Sequence, residues 1–226
     1  LSYKADVYEE PVWITDRQFQ DYVTVDQKDA FDYLSVYFNV KDDNHPPVHF
    51  MLLHTMSSVF RGTLSPWLGC SINLVCLGIT LWLLLRLGRQ LADVFSLEGK
   101  GRQLGILAVL LYGMSTGALA TMLLIRMYGL LSCLCVALFS VHVEKWKNNG
   151  FDKKNKGLIA ITVLGFLTQY FFLFYCLLLA AVILLVAGLA VTGILLPDQQ
   201  ISLTERRSLA QLPTVSVSLV LDKSFS

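Results

Sequence analysis

Apolar and polar positions divide this chain near Pro66. Before it, hydrophobic residues are interrupted every few positions by acids, amides and hydroxyls; after it the sequence is almost continuously apolar, broken by charged stretches around residues 86–102 and 145–156. About twenty apolar residues make a helix long enough to cross the hydrocarbon core of a bilayer, and residues 66–87 are the first such run. Pro66 suits the first helical turn, and Arg86 and Arg89 predict its end. Further spans are predicted over 103–118 and 126–146, with Gly113-Met114-Ser115-Thr116-Gly117 loosening the chain and an outer turn between residues 115 and 126. Residues 157–196 carry no charge, and at about 1.5 Å per residue they reach roughly twice the core's thickness. They predict a hairpin of two spans, 157–174 and 176–196, turning at the polar and aromatic cluster that runs from Thr168-Gln169-Tyr170 to Tyr175.

The first 65 residues contain no span. Thr15-Asp16-Arg17-Gln18 ahead of Phe19 predicts a short helix capped by Thr15 or Asp16, and residues 28–38 predict another. Over 47–60, Val48, Met51, Leu52, Met56 and Val59 or Phe60 recur near helical spacing, which predicts an amphipathic helix too short to span and suited to the membrane interface. The scattered aromatics of this region suit a loop domain's own core or an interfacial belt. The expected fold is all-α: a polytopic transmembrane bundle of about five spans over 66–196, an extracytoplasmic loop domain over 1–65, and a cytoplasmic tail over 197–226.

Composition agrees. The chain has 226 residues, 54% of them hydrophobic, and a mean hydropathy of +0.56, more apolar surface than a soluble core of this size hides. The net charge of +1 conceals segregation. Asp and Glu outnumber Lys and Arg before Pro66, whereas Arg86, Arg89, Lys100 and Arg102, then Lys145, Lys147, Lys153, Lys154 and Lys156, sit in the two short loops. The positive-inside rule makes both loops cytoplasmic and residues 1–65 extracytoplasmic. Because nothing in residues 1–65 exports them, and the chain starts at Leu1, the topology leads us to expect a fragment preceded by a signal-anchor helix. All five cysteines lie in apolar runs, as small buried hydrophobes rather than a disulfide framework or zinc site.

Candidate chemistry gathers at Asp42-Asp43-Asn44-His45-Pro46-Pro47-Val48-His49-Phe50. The two prolines fix φ and remove two backbone donors, so Asp43 and His45 sit on a stiff extended entry to the 47–60 helix. On the outer face no nucleotide sugar is supplied, so an activated sugar must arrive on a lipid. Transfer then needs a carboxylate to take the acceptor's proton and positive charge to stabilise the departing phosphate. Asp43 is the candidate for the first and Arg126 for the second. Asp43, His45, His49 and His54 also make a divalent metal conceivable, although their spacing is no zinc motif and no cofactor is required by it.

Asp43-Asn44-His45-Pro46-Pro47 followed by Phe50-Met51-Leu52-Leu53-His54 resembles the Asp-x-His-Pro-Pro-Leu-Tyr-Tyr-Leu-Leu-Leu-His signature of bacterial glycosyltransferases related to protein O-mannosyltransferases. Arg126-Met127-Tyr128-Gly129-Leu130-Leu131 is similar to that family's Arg-Met-Tyr-Ala-Leu-Leu. The resemblance spans residues 10–196. It implies a C-type glycosyltransferase fold in the bacterial cytoplasmic membrane and a polyprenyl-phosphate-linked sugar as donor. Asp43 and His45 would be catalytic, and Arg126 with Tyr128 would bind the lipid phosphate. It implies an extracytoplasmic acceptor of unstated kind. Relatives carry an acidic pair where their first helix emerges; Glu9 and Glu10 are the stand-ins here, in unmatched surroundings. Leu124 stands where many relatives have Glu, and Gln169, before Tyr170, where many have His in a Thr-His-Tyr run; His49, Gln169 and Tyr170 are further site candidates.

Two other classes compete. A lipid or glycolipid transporter predicts a broken, polar pair of spans at mid-membrane and internal repeats, and no repeat is visible. A non-catalytic membrane scaffold needs no site at all. Gly99-Lys100-Gly101 lacks a P-loop frame, which leaves no nucleotide or nucleic-acid partner, and the 113–117 spacing of small residues suits close helix packing.

Overall fold

A computed structural model describes residues 13–41, 45–148 and 156–191 of the chain. Every regular element among them is a helix: α1 (Asp16–Val23), α2 (Tyr33–Val40), α3 (Val48–Val59), α4 (Pro66–Val94), α5 (Gly101–Gly113), α6 (Thr116–Leu123), α7 (Tyr128–Lys147), α8 (Lys156–Thr168) and α9 (Phe172–Val191). Three are long and apolar enough to cross a membrane, α4, α7 and Phe172–Leu189 of α9, and the bent pair α5–α6 makes a fourth if it counts as one span. The 197–226 tail, Asp43, Glu9 and Glu10 lie outside the described residues.

The distribution of side chains is inverted relative to a water-soluble core. Thr80, Ser58 and Thr168 are wholly buried, and Asn73, Gln90 and Ser140 nearly so, while Trp67, Leu74, Val75, Trp82, Leu111 and Leu123 are exposed. In water that arrangement forfeits hydrophobic burial, about 25 cal/mol per Å² of apolar surface; in hydrocarbon it forfeits nothing, and the buried polar groups are the ones that gain by turning inward.

α4 organises the first compact unit, which ends at Phe172. It runs antiparallel to α5, where Gly88 and Gly105 bring the two backbones together so closely that a Cβ on Gly88 would strike the backbone of Gly105. Small residues permit this approach. α4 runs parallel to α7, as the pairings Asn73 with Gly129, Arg86 with Glu144 and Asp93 with Lys147 show. At about 1.5 Å per residue its 29 residues reach about 43 Å, past the ~30 Å core into both headgroup layers. That exceeds the expected 66–87, because the Arg86 guanidinium donates to Glu144 (2.6 Å) and Lys147 to Asp93 (2.6 Å). Arg86, one of the two charges expected to stop the helix, is paired across α7, and the helix continues.

Three other expectations are corrected. Residues 116–123 are not a loop: α5 and α6 form one broken apolar path bent by 59°, and Ser115 makes the break. Its hydroxyl donates to the Tyr112 carbonyl (2.7 Å) and accepts from the Ala118 amide (3.1 Å), closing one helix and capping the next. The turn after α8 is confined to residues 169–171, and Phe172 to Tyr175 already belong to α9. The helix expected over 28–38 begins only at Tyr33, because Phe31 adopts φ 59°, and Asp32 caps α2 by accepting from the Ser35 amide. At α1 the expected cap is present as a capping box between Thr15 and Gln18. α9, in the second unit, is apolar along its whole length.

Candidate functional site

The site starts from α3, the helix that the spacing over 47–60 predicts. α3 packs against α2, α4 and α8, burying His49, His54 and Ser58 while Leu52 and Val59 stay exposed. Its two histidines lie on different sides of the helix and in different company. Ser58 accepts the Phe31 amide (3.0 Å), and His54 makes an edge-on ring contact with Tyr33 (5.8 Å between centroids). Burial lowers the His54 pKa, opposed by the Asp32 and Asp29 carboxylates and the Asp29 backbone. Val25 and Val36 fill the space between, with Phe50 and Met51 packed on them. This half of α3 is a joint holding the α1–α2 segment.

His49, in the first turn of α3, is only 3% exposed, and neither ring nitrogen has a hydrogen-bond partner. Burial, and then the Arg126 guanidinium beside it, lower its pKa from 6.5 to about 4. The ring is neutral at pH 7, so one nitrogen is a donor and the other an acceptor.

Arg126 reaches that position because the chain breaks between α6 and α7, and Asn73 of α4 holds the break. The Asn73 amide donates to the Thr121 carbonyl (3.0 Å) and the Leu124 carbonyl (2.7 Å), two acceptors that the end of α6 leaves without a helical partner. The Arg126 amide turns back onto the Leu124 carbonyl (2.7 Å). Gly129 leaves room for Asn73, whose Oδ1 would lie 2.8 Å from an added Cβ, and Gly69 leaves room for Ile125. Arg126 and Tyr128 are exposed, while Met127 between them is buried and anchors the start of α7. Asn73 was missed in the sequence; the signal was a lone amide inside an apolar span, which must find partners there.

His49 and Arg126, from the two motif-bearing segments, are near enough for the guanidinium to add to the lowering of the His49 pKa. His45 is half-buried at the entry to α3. Gln169, at the end of α8, is buried with its Oε1 unpartnered, while Tyr170 is exposed and packs edge-on against Phe166 (5.5 Å). Asp43, Glu9 and Glu10 lie outside the described residues, among which no three His, Cys, Asp or Glu side chains gather as a metal ion would require. No family model, curated protein or solved structure matches the chain. Chemically, Arg126 offers an exposed cation that can meet an anion, and His49 a neutral imidazole.

Proposed function

We propose that this protein is a multi-pass glycosyltransferase of the bacterial cytoplasmic membrane, of the C-type fold, which moves a sugar from a polyprenyl-phosphate carrier to an extracytoplasmic acceptor. The observation that carries this reading is the meeting of the two segments that resemble the glycosyltransferase signatures: Arg126 acts electrostatically on His49 although 76 residues separate them. In the reaction the acceptor hydroxyl attacks the anomeric carbon, Asp43 takes its proton, and the bond from that carbon to the phosphate oxygen breaks. The negative charge that develops on the departing lipid phosphate is stabilised by Arg126, with Tyr128 beside it and His45 orienting the acid segment. The positive-inside rule supports this reading: with the basic loops at the Arg86 end facing the cytoplasm, the Arg126 end would face outward.

Sugar transfer from a defined polyprenyl-phosphate sugar tests this. A guanidinium offers a planar fork that matches two phosphate oxygens, and an ammonium does not. Arg126→Lys is therefore expected to keep abundance and insertion while lowering transfer at least about tenfold, equivalent to roughly 1.4 kcal/mol of transition-state stabilisation. A lysine variant as active as the parent makes Arg126 a snorkelling anchor, for which charge is enough.

One observation favours a lipid transporter instead, the 59° break between α5 and α6. The residues at that break, Gly113, Met114, Ser115 and Thr116, carry no charge, and the Ser115 hydroxyl is consumed in closing the two helices. The unpartnered polar groups lie elsewhere, at the Arg126 end. Movement of a labelled polyprenyl-phosphate lipid across reconstituted vesicles without sugar transfer would favour the transporter.

A further inference from the structure

We propose that Arg89, Lys100 and Arg102 form a binding site for the headgroup of an anionic phospholipid of the surrounding bilayer. This rests on the membrane placement proposed above and on no part of the sugar transfer; the site lies at the other end of α4 from Asn73.

Glycine brings these cations together. Gly101 lies so close to α4 that a Cβ on it would stand 3.0 Å from the Arg89 Cα and 3.2 Å from the Ala92 Cβ. Lys100 and Arg102 flank Gly101 in the chain, so all three cationic side chains start from neighbouring backbone. All three are exposed, and among the described residues none has an ion-pair partner; the pairs at this end join Arg86 to Glu144 and Lys147 to Asp93. Glu98, the acid of the α4–α5 turn, is exposed and pairs with none of them. Lys100 and Arg102 also stand at the start of α5, where the helix dipole disfavours cations. Topology asks only that this loop be basic. It does not ask that the charges converge, and their mutual repulsion is what an anion relieves.

The surface leading to them suits lipid tails. Val75, Trp82 and Arg89 recur at seven-residue spacing and so share one side of α4; all are exposed, and a Cβ on Gly78 between them would meet nothing. Arg102 and the exposed Ile106, four residues apart, share a side of α5. A ~30 Å core takes about twenty residues of a helix; centred on the 29 of α4, it leaves Arg89 at the boundary between hydrocarbon and headgroups. Phe95 and Leu97 of the turn are exposed apolar groups that a headgroup layer covers. A phospholipid has the same order of parts, apolar chains and then a phosphodiester. The Arg89 and Arg102 guanidinium forks each match two phosphate oxygens, and Lys100 adds a point charge. A zwitterionic headgroup carries a cation of its own, which three cations repel, so charge complementarity selects a lipid with net negative charge.

The test titrates the whole chain in maltoside micelles with phosphatidylglycerol and reads the rise in melting temperature, with phosphatidylcholine of the same acyl chains and free glycerol phosphate as controls. Phosphatidylglycerol is expected to raise it and phosphatidylcholine to leave it unchanged. Arg89→Gln and Arg102→Gln should each raise the lipid concentration needed for half the effect about fivefold, the affinity that one cation contributes at a headgroup. Lys100→Gln, outside α4, should do the same, so that a change in α4 itself is not mistaken for a lost contact. Arg86→Gln removes a cation that is already paired, three residues from Arg89, and should keep the parent's lipid response. Phosphatidylcholine as effective as phosphatidylglycerol, glycerol phosphate as effective as the lipid, or an undiminished response in the three glutamine variants would each overturn the site. So would an equal loss in Arg86→Gln, by showing a dependence on total charge alone. Sugar transfer enters no arm, so the site and the proposed activity stand or fall separately. Solubility of the chain without detergent is the separate sign that the membrane placement has failed.

Discussion

The two ends of the parallel α4–α7 pair are built on opposite plans. At the Arg86 end polar groups meet polar groups of the facing helix: Arg86 with Glu144, Lys147 with Asp93, and the Ser140 hydroxyl donating to Gln90 (2.8 Å) in a buried contact. Gly88 and Gly105 lock α5 onto the same end. At the Arg126 end the backbone is served first, by the Asn73 amide, while the Asn73 Oδ1, both nitrogens of His49 and the Arg126 guanidinium remain without protein partners among the described residues. A self-satisfied end is a joint. An end that leaves buried polar groups open is the unusual one, since such groups are rare in folded proteins. Within α3 the two histidines differ in electrostatic company: the carboxylates of Asp32 and Asp29 raise the His54 pKa against its burial, whereas Arg126 lowers that of His49 further.

The contrast can be broken from either end. The largest effect is expected from pH. The His49 pKa is about 4 when folded and about 6.5 when unfolded, so the unfolded chain binds more protons between these values. Stability due to the neutral ring is present above pH 6.5 and is lost as pH falls toward 4, by about 3 kcal/mol in all. The His54 shift has the same sign, so the measurement is the difference in unfolding free energy between parent and His49→Phe at pH 7 and pH 4. Equal pH slopes for the two proteins would place His49 in water.

Next in size is the closed end. Gly88→Ala drives a Cβ into the Gly105 backbone, which cannot move aside as a side chain would. We expect a loss of about 2–3 kcal/mol, read as a lowered unfolding midpoint; Gly78→Ala, with nothing near its Cβ, should be neutral. Asn73→Leu should cost about 2 kcal/mol by removing two hydrogen bonds, which leaves the Thr121 carbonyl bare and the Leu124 carbonyl with the Arg126 amide alone. It should also release the α6–α7 break, which a cysteine at position 126 would report as faster thiol labelling. Unchanged labelling would mean that Gly69 and Gly129 packing alone sets the break.

The smallest effect is expected at an ion pair that is short but exposed. Arg86 and Glu144 are each nearly half exposed, and Arg86→Gln should cost under about 1 kcal/mol because solvent and headgroups screen the pair. A larger loss would show that charge, rather than glycine packing, holds the Arg86 end.

Much of this was legible in the residues. Apolar runs locate α4, α7 and α9, since a helix that must satisfy its own backbone in hydrocarbon needs a run of that length. The capping box at Thr15 is written locally in Thr15-Asp16-Arg17-Gln18. The site was legible as two separate segments and not as a pair: nothing near Arg126 in the sequence names His49, and Asn73, which holds Arg126 in place, looked like a tolerated amide. α3 shows why. Its spacing states that its sides differ, but the medium each side meets depends on which helices come to lie against it. The break between α5 and α6 has the same origin, because Ser115 can cap a helix only once the chain has turned there. Periodicity and capping are properties of neighbours in the chain, and the sequence determines them by itself; burial, pairing and the reach of Arg126 to His49 are properties of neighbours in space, and only the packing of α3 and α7 around α4 decided them.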